Sequence, residues 1–246
     1  MQCLKGGMLP RPPESSYRMP PVRLSRWRGA LALLCALALL ALAPVAARAE
    51  VTILAFGDSL TAGAGLPEAD GFVPRLEAWL HAHGAPDVSL INGGVSGDTS
   101  AGGLARIDWA LTPEVDGVIV ELGANDMLRG LSMTKMRGNL DGILDRIDAK
   151  GLPALLAGLP APPNYPKDYQ TAFKAAFKEL AAEHDAIYVS SFFGGMSGKS
   201  MGEVMAMMQP DGIHPNARGV AANVDAIGPA VLKLVERARA KAKASQ

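Results

Sequence analysis

Cysteine is scarce in this chain of 246 residues, which contains only two. Both of them, Cys3 and Cys35, lie within the first 49 residues, so a chain that starts at Glu50 has neither a thiol nor a disulfide. Its stability must then come from its hydrophobic core. An excess of basic residues is also lacking: Lys and Arg number 24 and Asp and Glu also number 24 in the full chain, and residues 50–246 hold 17 and 23, a net charge of −6. This balance argues against nucleic acid as a partner.

Several common functional motifs are absent as well. The glycine-containing segment 93–99 (GGVSGDT) has neither the P-loop lysine nor the G-x-G-x-x-G spacing, which argues against nucleotide binding. The segment 57–61 (GDSLT) lacks the G-x-S-x-G elbow of the larger α/β-hydrolases. Aromatic residues make up 5% of the chain, which leaves little surface for stacking on sugars and disfavours a deacetylase of sugar esters.

The first 49 residues differ in composition from the rest. They hold seven of the 24 basic residues and one acidic residue, followed by an apolar stretch at 30–43 and by Ala47-Arg48-Ala49. These three features predict a secretory signal peptide that is cleaved after Ala49, and hence a periplasmic or secreted protein. The alternative is a retained membrane anchor, since residues 29–47 approach the roughly 20 residues that span a bilayer. The small residues before Glu50 favour cleavage.

Residues 50–246 are numerous enough for one domain with a sizeable core. Short apolar runs alternate there with longer helical patterns. The runs predict strands that are buried on both faces, at 51–56, 88–92, 117–123, 153–159 and 186–190. The helical patterns lie at 71–83, 99–111, 132–150, 167–184 and 217–243. This alternation predicts an α/β fold, a doubly wound three-layer α/β/α sandwich around a five-stranded parallel sheet.

Ser59 follows the first predicted strand in the sequence Gly57-Asp58-Ser59-Leu60. A tight turn at this point places the serine at the carboxyl edge of the sheet, where open α/β sheets carry their sites. A serine hydroxyl is a weak nucleophile unless a base removes its proton, so a catalytic role requires a histidine elsewhere. The alternative is that Ser59 merely caps the following helix.

His214 is the one histidine among four that lies beside an acid in a glycine turn. Asp211, three residues earlier, can hold the imidazole in the tautomer whose other nitrogen faces a serine. A buried structural pair is the alternative. His81, His83 and His184 end predicted helices, where they can interact favourably with the helix dipole.

Two more segments at the same edge can bind an anion. Glycines at 93–97 allow close approach of the backbone, and amides leading into the helix at Thr99 suit either a phosphate or an oxyanion. Asn125, in Gly123-Ala124-Asn125-Asp126, can donate its side-chain amide to an oxyanion. The alternative for this segment is a plain strand-to-loop turn.

Two stretches depart from the β-α pattern. Residues 160–166 (PAPPNYP) predict a stiff loop above the fourth strand. Residues 196–208 contain five methionines, whose flexible thioethers suit a surface for varied apolar ligands, although a short helix that plugs the core is equally compatible. Tyr165 and Met205 are candidate walls for an acyl chain.

Together these segments resemble the GDSL-type, or SGNH, hydrolase family. The chain shows G-D-S-L, S-G-D-T, G-A-N-D and D-G-I-H-P-N in the family's order, and the similarity spans about residues 51–234. The details look most like the periplasmic thioesterase, lysophospholipase and arylesterase subgroup. Ala124 is a departure, because that subgroup often has Gly there, and its methyl group is expected to crowd the oxyanion site slightly.

The resemblance implies a flavodoxin-like SGNH hydrolase fold and a set of site residues. Ser59 would be the nucleophile, His214 the general base and later the general acid, and Asp211 the residue that orients His214. The oxyanion donors would be the backbone amides of Ser59 and Gly97 and the side chain of Asn125. Metals and cofactors are not needed for this chemistry.

The implied activity is that of a serine esterase acting on aryl or short-to-medium acyl esters. A thioesterase or lysophospholipase of the same family is the near alternative, which would bring lipid substrates at a membrane surface into play. The alternative from another class is a non-catalytic module that binds an anion or a nucleotide. A complete Ser-His-Asp set argues against that module, because a pure binder needs no base beside a serine.

Overall fold

The computed structural model of this chain describes residues 50–244. The predicted signal peptide, residues 1–49, lies outside the described residues. The strands are β1 (Val51–Gly57), β2 (Val88–Gly94), β3 (Gly117–Glu121), β4 (Ala154–Ala157) and β5 (Ile187–Val189). The helices are α1 (Ser59–Ala62), α2 (Phe72–Ala82), α3 (Ser100–Ala110), α4 (Ala124–Leu128), α5 (Met133–Ala149), α6 (Lys167–Glu183), α7 (Met201–Met205) and α8 (Ala217–Ala244). Short 3₁₀ helices occupy Glu68–Asp70 and Gly194–Met196.

The five strands form one parallel sheet in the order β2-β1-β3-β4-β5. Helices α2 and α8 pack against each other, and α3, α5 and α6 form a second packed group, so helices cover both faces of the sheet. The predicted doubly wound three-layer sandwich is therefore confirmed. The strand order reverses between β1 and β3, and sheets of this kind bind ligands at the carboxyl ends of strands beside such a reversal.

Burial follows the position of each strand in the sheet. Every residue of β3 and β4 is buried, as are six of the seven in β1. Most residues of β2 and β5 are only half-buried, because an edge strand has a neighbouring strand on one side alone. The prediction of burial on both faces is thus correct for the inner strands and wrong for the two edge strands.

Helix ends lie within one residue of the predicted ends for the five long helices. The apolar periodicity predicts none of the short helices α1, α4 and α7, because four or five residues do not complete a periodic pattern. Residues 160–166 form a loop without helix, as predicted. Helix α7 has no buried residue, so it does not plug the core as the alternative for the methionine-rich stretch supposes.

The candidate membrane anchor, residues 29–47, falls outside the described part of the chain. Between residues 50 and 244, no helix combines the length and the apolar character that crossing a bilayer requires.

His184 joins α5 to α6 at the helix end that the sequence predicts for it. Its Nδ1 lies 2.6 Å from an oxygen of Asp148, and its Nε2 lies 2.9 Å from an oxygen of Asp141. Burial lowers the pKa of this imidazole, but the hydrogen bonds to the two carboxylates raise it by more, so that the net shift is upward. The charged imidazolium, which donates from both nitrogens, is the form that holds the helices together.

A histidine whose pKa is raised by folding stabilises the protein most at low pH. We expect His184→Gln to reduce the free energy of unfolding by about 1 kcal/mol below pH ~6, since a partly exposed charged hydrogen-bond pair is lost. The difference between the two proteins should shrink as the pH rises through the raised pKa of His184, because the wild type then loses the same charge. Urea unfolding at several pH values measures this.

The matched control is His83→Gln, because the Nδ1 of His83 contacts the carbonyl oxygen of Trp79 rather than a carboxylate. A stability difference between wild type and His184→Gln that stays constant from pH 5 to pH 9 would contradict the assignment.

Candidate active site

The turn after β1 is built around Gly57 and Asp58. A Cβ atom on Gly57 would lie 2.0 Å from the Thr61 hydroxyl oxygen, so only glycine fits there. Asp58 is the N-cap of α1, because its Oδ1 accepts a hydrogen bond of 3.0 Å from the Leu60 amide. The alternative that Ser59 caps this helix is therefore wrong: Ser59 is its first residue, and its hydroxyl remains available.

Ser59, His214 and Asp211 form one hydrogen-bonded relay. The Ser59 Oγ lies 2.8 Å from His214 Nε2, and His214 Nδ1 lies 2.6 Å from Asp211 Oδ2. The other carboxylate oxygen of Asp211 accepts from the backbone amides of Ile213 and His214. The hydrogen bond to His214, followed by these two amides, lowers the pKa of Asp211 to about 2.

The loop that carries His214 is anchored on both sides by amide side chains. Gln209 Nε2 donates to the carbonyl oxygens of Ala64 (2.8 Å) and Pro215 (3.0 Å), which ties the loop to the end of α1. Asn216 Oδ1 accepts from the amides of Arg218 and Gly219 and so caps α8. The Asn at the end of D-G-I-H-P-N thus serves helix initiation.

Three groups suited to bind an oxyanion line the same cleft. They are the backbone amides of Ser59 and Gly97 and the side chain of Asn125. Within residues 50–244 neither amide donates to a protein acceptor. Asn125 Nδ2 donates one hydrogen to Asp58 Oδ2 at 3.0 Å, which leaves the second for a ligand. Gly97 has a φ of +80°, a value that glycine adopts most readily.

Glu121, the last residue of β3, is a fully buried carboxyl group beneath the turn. Its Oε2 accepts from the Thr61 hydroxyl at 2.8 Å and from the Asp58 amide at 3.5 Å. Burial first, and then the negative charge of Asp58, raise the pKa of Glu121 well above its usual value. Burial also raises the pKa of Asp58, while its bonds from Leu60 and Asn125 act against this rise. Of the two carboxyl groups, Glu121 has the more strongly raised pKa.

Arg106, on α3, connects three segments of the site. Its guanidinium donates to the Gly57 carbonyl at 2.9 Å, to the Gly93 carbonyl at 2.9 Å and to Asp98 Oδ2 at 2.7 Å. It also lies over the Phe56 ring, 3.9 Å from the ring centroid. Because Gly57 precedes the Ser59 turn and Asp98 follows Gly97, this one side chain fixes the serine relative to the glycine loop.

Asp126 and Ser100 make a second connection between the same loops. The Asp126 carboxylate accepts from the Ser100 amide at 2.8 Å and from the Ser100 hydroxyl at 2.6 Å. Both residues are buried. They join the helix that carries Asn125 to the beginning of α3, so the segment is more than the plain turn that the sequence offers as an alternative.

The cleft above these groups has a volume of about 890 Å³. Its walls are largely apolar, and Met205, a candidate wall in the sequence, is among the residues that line it. Four of the five methionines in segment 196–208 line the cleft, and the fifth, Met207, is buried. Ala124 also lies on the lining.

Tyr165 lies outside the cleft, and its predicted place on the wall is corrected. Its hydroxyl donates to the Met127 carbonyl at 3.1 Å, and its ring stacks on Tyr169. It therefore supports the proline-rich loop from behind, while residues 160–163 of that loop face the cleft.

The sequence interpretation does not find the supporting residues Arg106, Glu121, Gln209 and Asp126. Asp126 lies within the G-A-N-D motif and Glu121 lies two residues before it, so their fixed distance from this motif could have marked them as supporting residues. Arg106 and Gln209 act through backbone carbonyls far away in sequence, and no local pattern marks such contacts. In the part of the chain that the structure describes, no group of three or more His, Cys, Asp or Glu side chains is arranged to hold a metal ion.

Comparison with known proteins places this site in context. Residues 55–222 match the model of the GDSL-like lipase/acylhydrolase family. The chain is 40% identical over 168 residues to "Esterase TesA" of Pseudomonas aeruginosa, covering 68% of this chain and 81% of the relative. It is 37% identical over 171 residues to "Thioesterase 1/protease 1/lysophospholipase L1" of Escherichia coli K12, covering 69% and 78%.

A solved structure gives the same result. The SGNH-hydrolase family esterase AlinE4 superimposes with a TM-score of 0.61 at 43% sequence identity, covering 75% of this chain and 96% of AlinE4. The chain therefore belongs to the GDSL-like lipase/acylhydrolase family and is an ester hydrolase of the SGNH type.

Proposed function

We propose that this enzyme hydrolyses carboxylic esters through an acyl-enzyme on Ser59. The observation that supports this most directly is the hydrogen-bonded relay from Ser59 through His214 to Asp211, which lies at the floor of an open cleft. A base within hydrogen-bond reach of a serine, itself oriented by a carboxylate, is the arrangement that activates a serine nucleophile.

In this proposal each group has a step to perform. His214 Nε2 takes the proton from Ser59 as Oγ attacks the carbonyl carbon of the ester. The carbonyl oxygen of the ester then becomes negatively charged. The amides of Ser59 and Gly97 and the free N–H of Asn125 stabilise that oxyanion. His214 then returns the proton to the leaving alcohol as the C–O bond breaks, and the acyl group remains on Ser59.

Water completes the cycle by the same route. His214 removes a proton from the water that attacks the acyl carbonyl, the bond to Oγ breaks, and Ser59 recovers its proton as the acid leaves. Asp211 remains ionised throughout at neutral pH because its pKa is about 2. Its negative charge therefore stabilises the imidazolium that forms twice in each cycle.

The cleft favours acyl esters with an apolar chain. The residues 160–163 and four methionines give it apolar walls on more than one side. The same walls suit acyl thioesters and lysophospholipids, and the name of the Escherichia coli relative supports both as the second candidate activity. Export by the predicted signal peptide would place this activity in the periplasm or outside the cell.

Replacing Ser59 by Ala tests the proposal. For the chain starting at Glu50, we expect p-nitrophenyl ester turnover to fall at least about 10⁴-fold, because the nucleophile is lost while the fold is kept. Circular dichroism and the melting temperature verify folding. Ser190→Ala is the matched control, since Ser190 also lines the cleft and should retain most activity. Undiminished turnover by Ser59→Ala, or phosphate or nucleotide binding by a folded wild type without any ester turnover, would contradict the proposal.

Arg106 is expected to act as a positioning residue. Both Arg106→Lys and Arg106→Ala should lower kcat by about 10- to 100-fold and change KM much less, because misplacing the serine and the Gly97 loop by about 1 Å affects the transition state most. Arg146→Ala is the control, as Arg146 forms an exposed pair with Asp108 on neighbouring helices. Equal loss of kcat in the control would contradict this role.

Met205 provides a test of the acyl wall. We expect Met205→Gln to lower kcat/KM for octanoate about 5-fold and to leave acetate nearly unchanged, since each CH₂ buried against the wall is worth about 0.8 kcal/mol. The comparison uses soluble p-nitrophenyl esters, with Trp109→Gln as a control for a distant exposed apolar residue. A chain-length profile that Met205→Gln leaves unchanged would rule out this wall.

A further inference from the structure

Large exposed apolar side chains are concentrated around the mouth of the cleft. Seven such side chains occur within residues 50–244. Four of them line the cleft, one directly precedes the lining residues Ser96 and Gly97, and one lies in the turn after α4. These six form what is called here the apolar collar: Val95, Leu128, Leu131, Met201, Met205 and Ile213.

Trp109 is the seventh and lies elsewhere. It stands near the end of α3, and α3 runs from the carboxyl edge of the sheet back to the opposite edge. Apolar side chains that are exposed one at a time are normal, whereas a group of them around one opening marks an interaction surface. The collar is such a group, and Trp109 is the natural internal control.

Unpaired cations flank the collar. Six of the eight arginines in residues 50–244 form ion pairs with carboxylates. The two that form none in this part of the chain are Arg129, which follows Leu128, and Arg218. Arg129 donates to the Gly97 carbonyl at 2.6 Å, which places its charge at the cleft.

Arg218 lies near Glu203 of α7, the helix whose Met201 and Met205 line the cleft. The pKa of Glu203, on α7 between Met201 and Met205, is lowered chiefly by its hydrogen bonds with Ser200 and also by the nearby charges of Lys199 and Arg218. Two carboxylates share this rim: Glu203 accepts hydrogen bonds from Ser200, and Asp211 contacts His214. Arg129 donates to a backbone carbonyl, and Arg218 lies near Glu203 without a salt bridge to it, so both arginines can still meet an anionic surface.

The occupant of this surface must leave the cleft open. A protein partner that covered all six collar residues would close the entrance to Ser59, whereas a lipid surface would itself contain acyl substrates. A lipid surface also offers an apolar interior into which the collar can insert and negative head groups that the two arginines can bind. We propose that the apolar collar docks this enzyme on lipid surfaces that carry anionic head groups. The docking itself does not require the proposed ester hydrolysis; only the biological reason for docking rests on that proposed function.

Vesicle sedimentation with the Ser59→Ala chain, residues 50–246, tests the docking without interference from turnover. We expect more protein bound to vesicles of phosphatidylcholine mixed with phosphatidylglycerol than to phosphatidylcholine alone, and less at high salt, which screens the arginines. Adding Leu131→Gln and Met201→Gln should weaken binding about 10-fold or more, because two apolar side chains no longer insert. Adding Trp109→Gln instead should leave binding unchanged.

A second measurement separates docking from catalysis. In the chain with an intact Ser59, Leu131→Gln should leave turnover of soluble p-nitrophenyl acetate unchanged, since its side chain does not line the cleft, and should reduce turnover of acyl esters embedded in anionic vesicles. Equal loss on both substrates would overturn the docking role.

Three other results would overturn the proposal: no binding to anionic vesicles, equal weakening by Trp109→Gln, or a dimer in solution that Leu131→Gln dissociates, which would assign the collar to a second copy of the chain. A failure of Ser59-dependent hydrolysis would contradict the proposed function but would not affect the conclusion drawn from vesicle binding.

Discussion

The buried carboxylate of Asp58 is the group on which the geometry of the site depends. It accepts hydrogen bonds from the Leu60 amide on one oxygen and from the Asn125 side chain on the other. Leu60 follows β1 and Asn125 follows β3, so one side chain fixes the Ser59 turn relative to the Asn125 amide. A carboxylate without exposure is tolerated only when its oxygens are satisfied, and this requirement keeps the two loops together.

A second buried carboxyl group and a guanidinium lie close to the same turn. Glu121 lies directly below the turn and is favoured in its uncharged form, which avoids two adjacent buried anions. Arg106 contributes a positive charge at the ends of β1 and β2, where its donors meet two backbone carbonyls and Asp98. The serine turn is thus held by two buried carboxyl groups and one guanidinium in fixed positions.

The histidine reaches the site from the far end of the chain. Its partner Ser59 is 155 residues away in sequence, and the loop that bears His214 is brought to it by the Gln209 bonds to Ala64 and Pro215. Ordering this loop costs conformational entropy, which the capping of α8 by Asn216 and the packing of α8 against α2 help to offset. The position of His214 beside Ser59 therefore depends on the contacts of the last helix.

The sequence by itself determined the architecture and the residues that meet in the cleft. Continuous apolar runs and helical periodicity depend on local burial, so the inner strands and long helices could be predicted to within one or two residues. The serine, glycine, asparagine and histidine segments follow strands or precede helices, and parallel strands bring such points to one edge.

Only the tertiary structure decided which residues hold the serine, glycine, asparagine and histidine segments in place. The roles of Arg106, Glu121 and Gln209 depend on contacts between segments distant in sequence, and a local pattern contains no such information. The same reason explains why Tyr165, a plausible wall in the sequence, lies behind the proline loop, and why the edge strands β2 and β5 are less buried than their apolar letters indicate. Whether a side chain points into the cleft depends on the residues it packs against. Those residues come from segments distant in sequence, so only the complete fold determines the orientation.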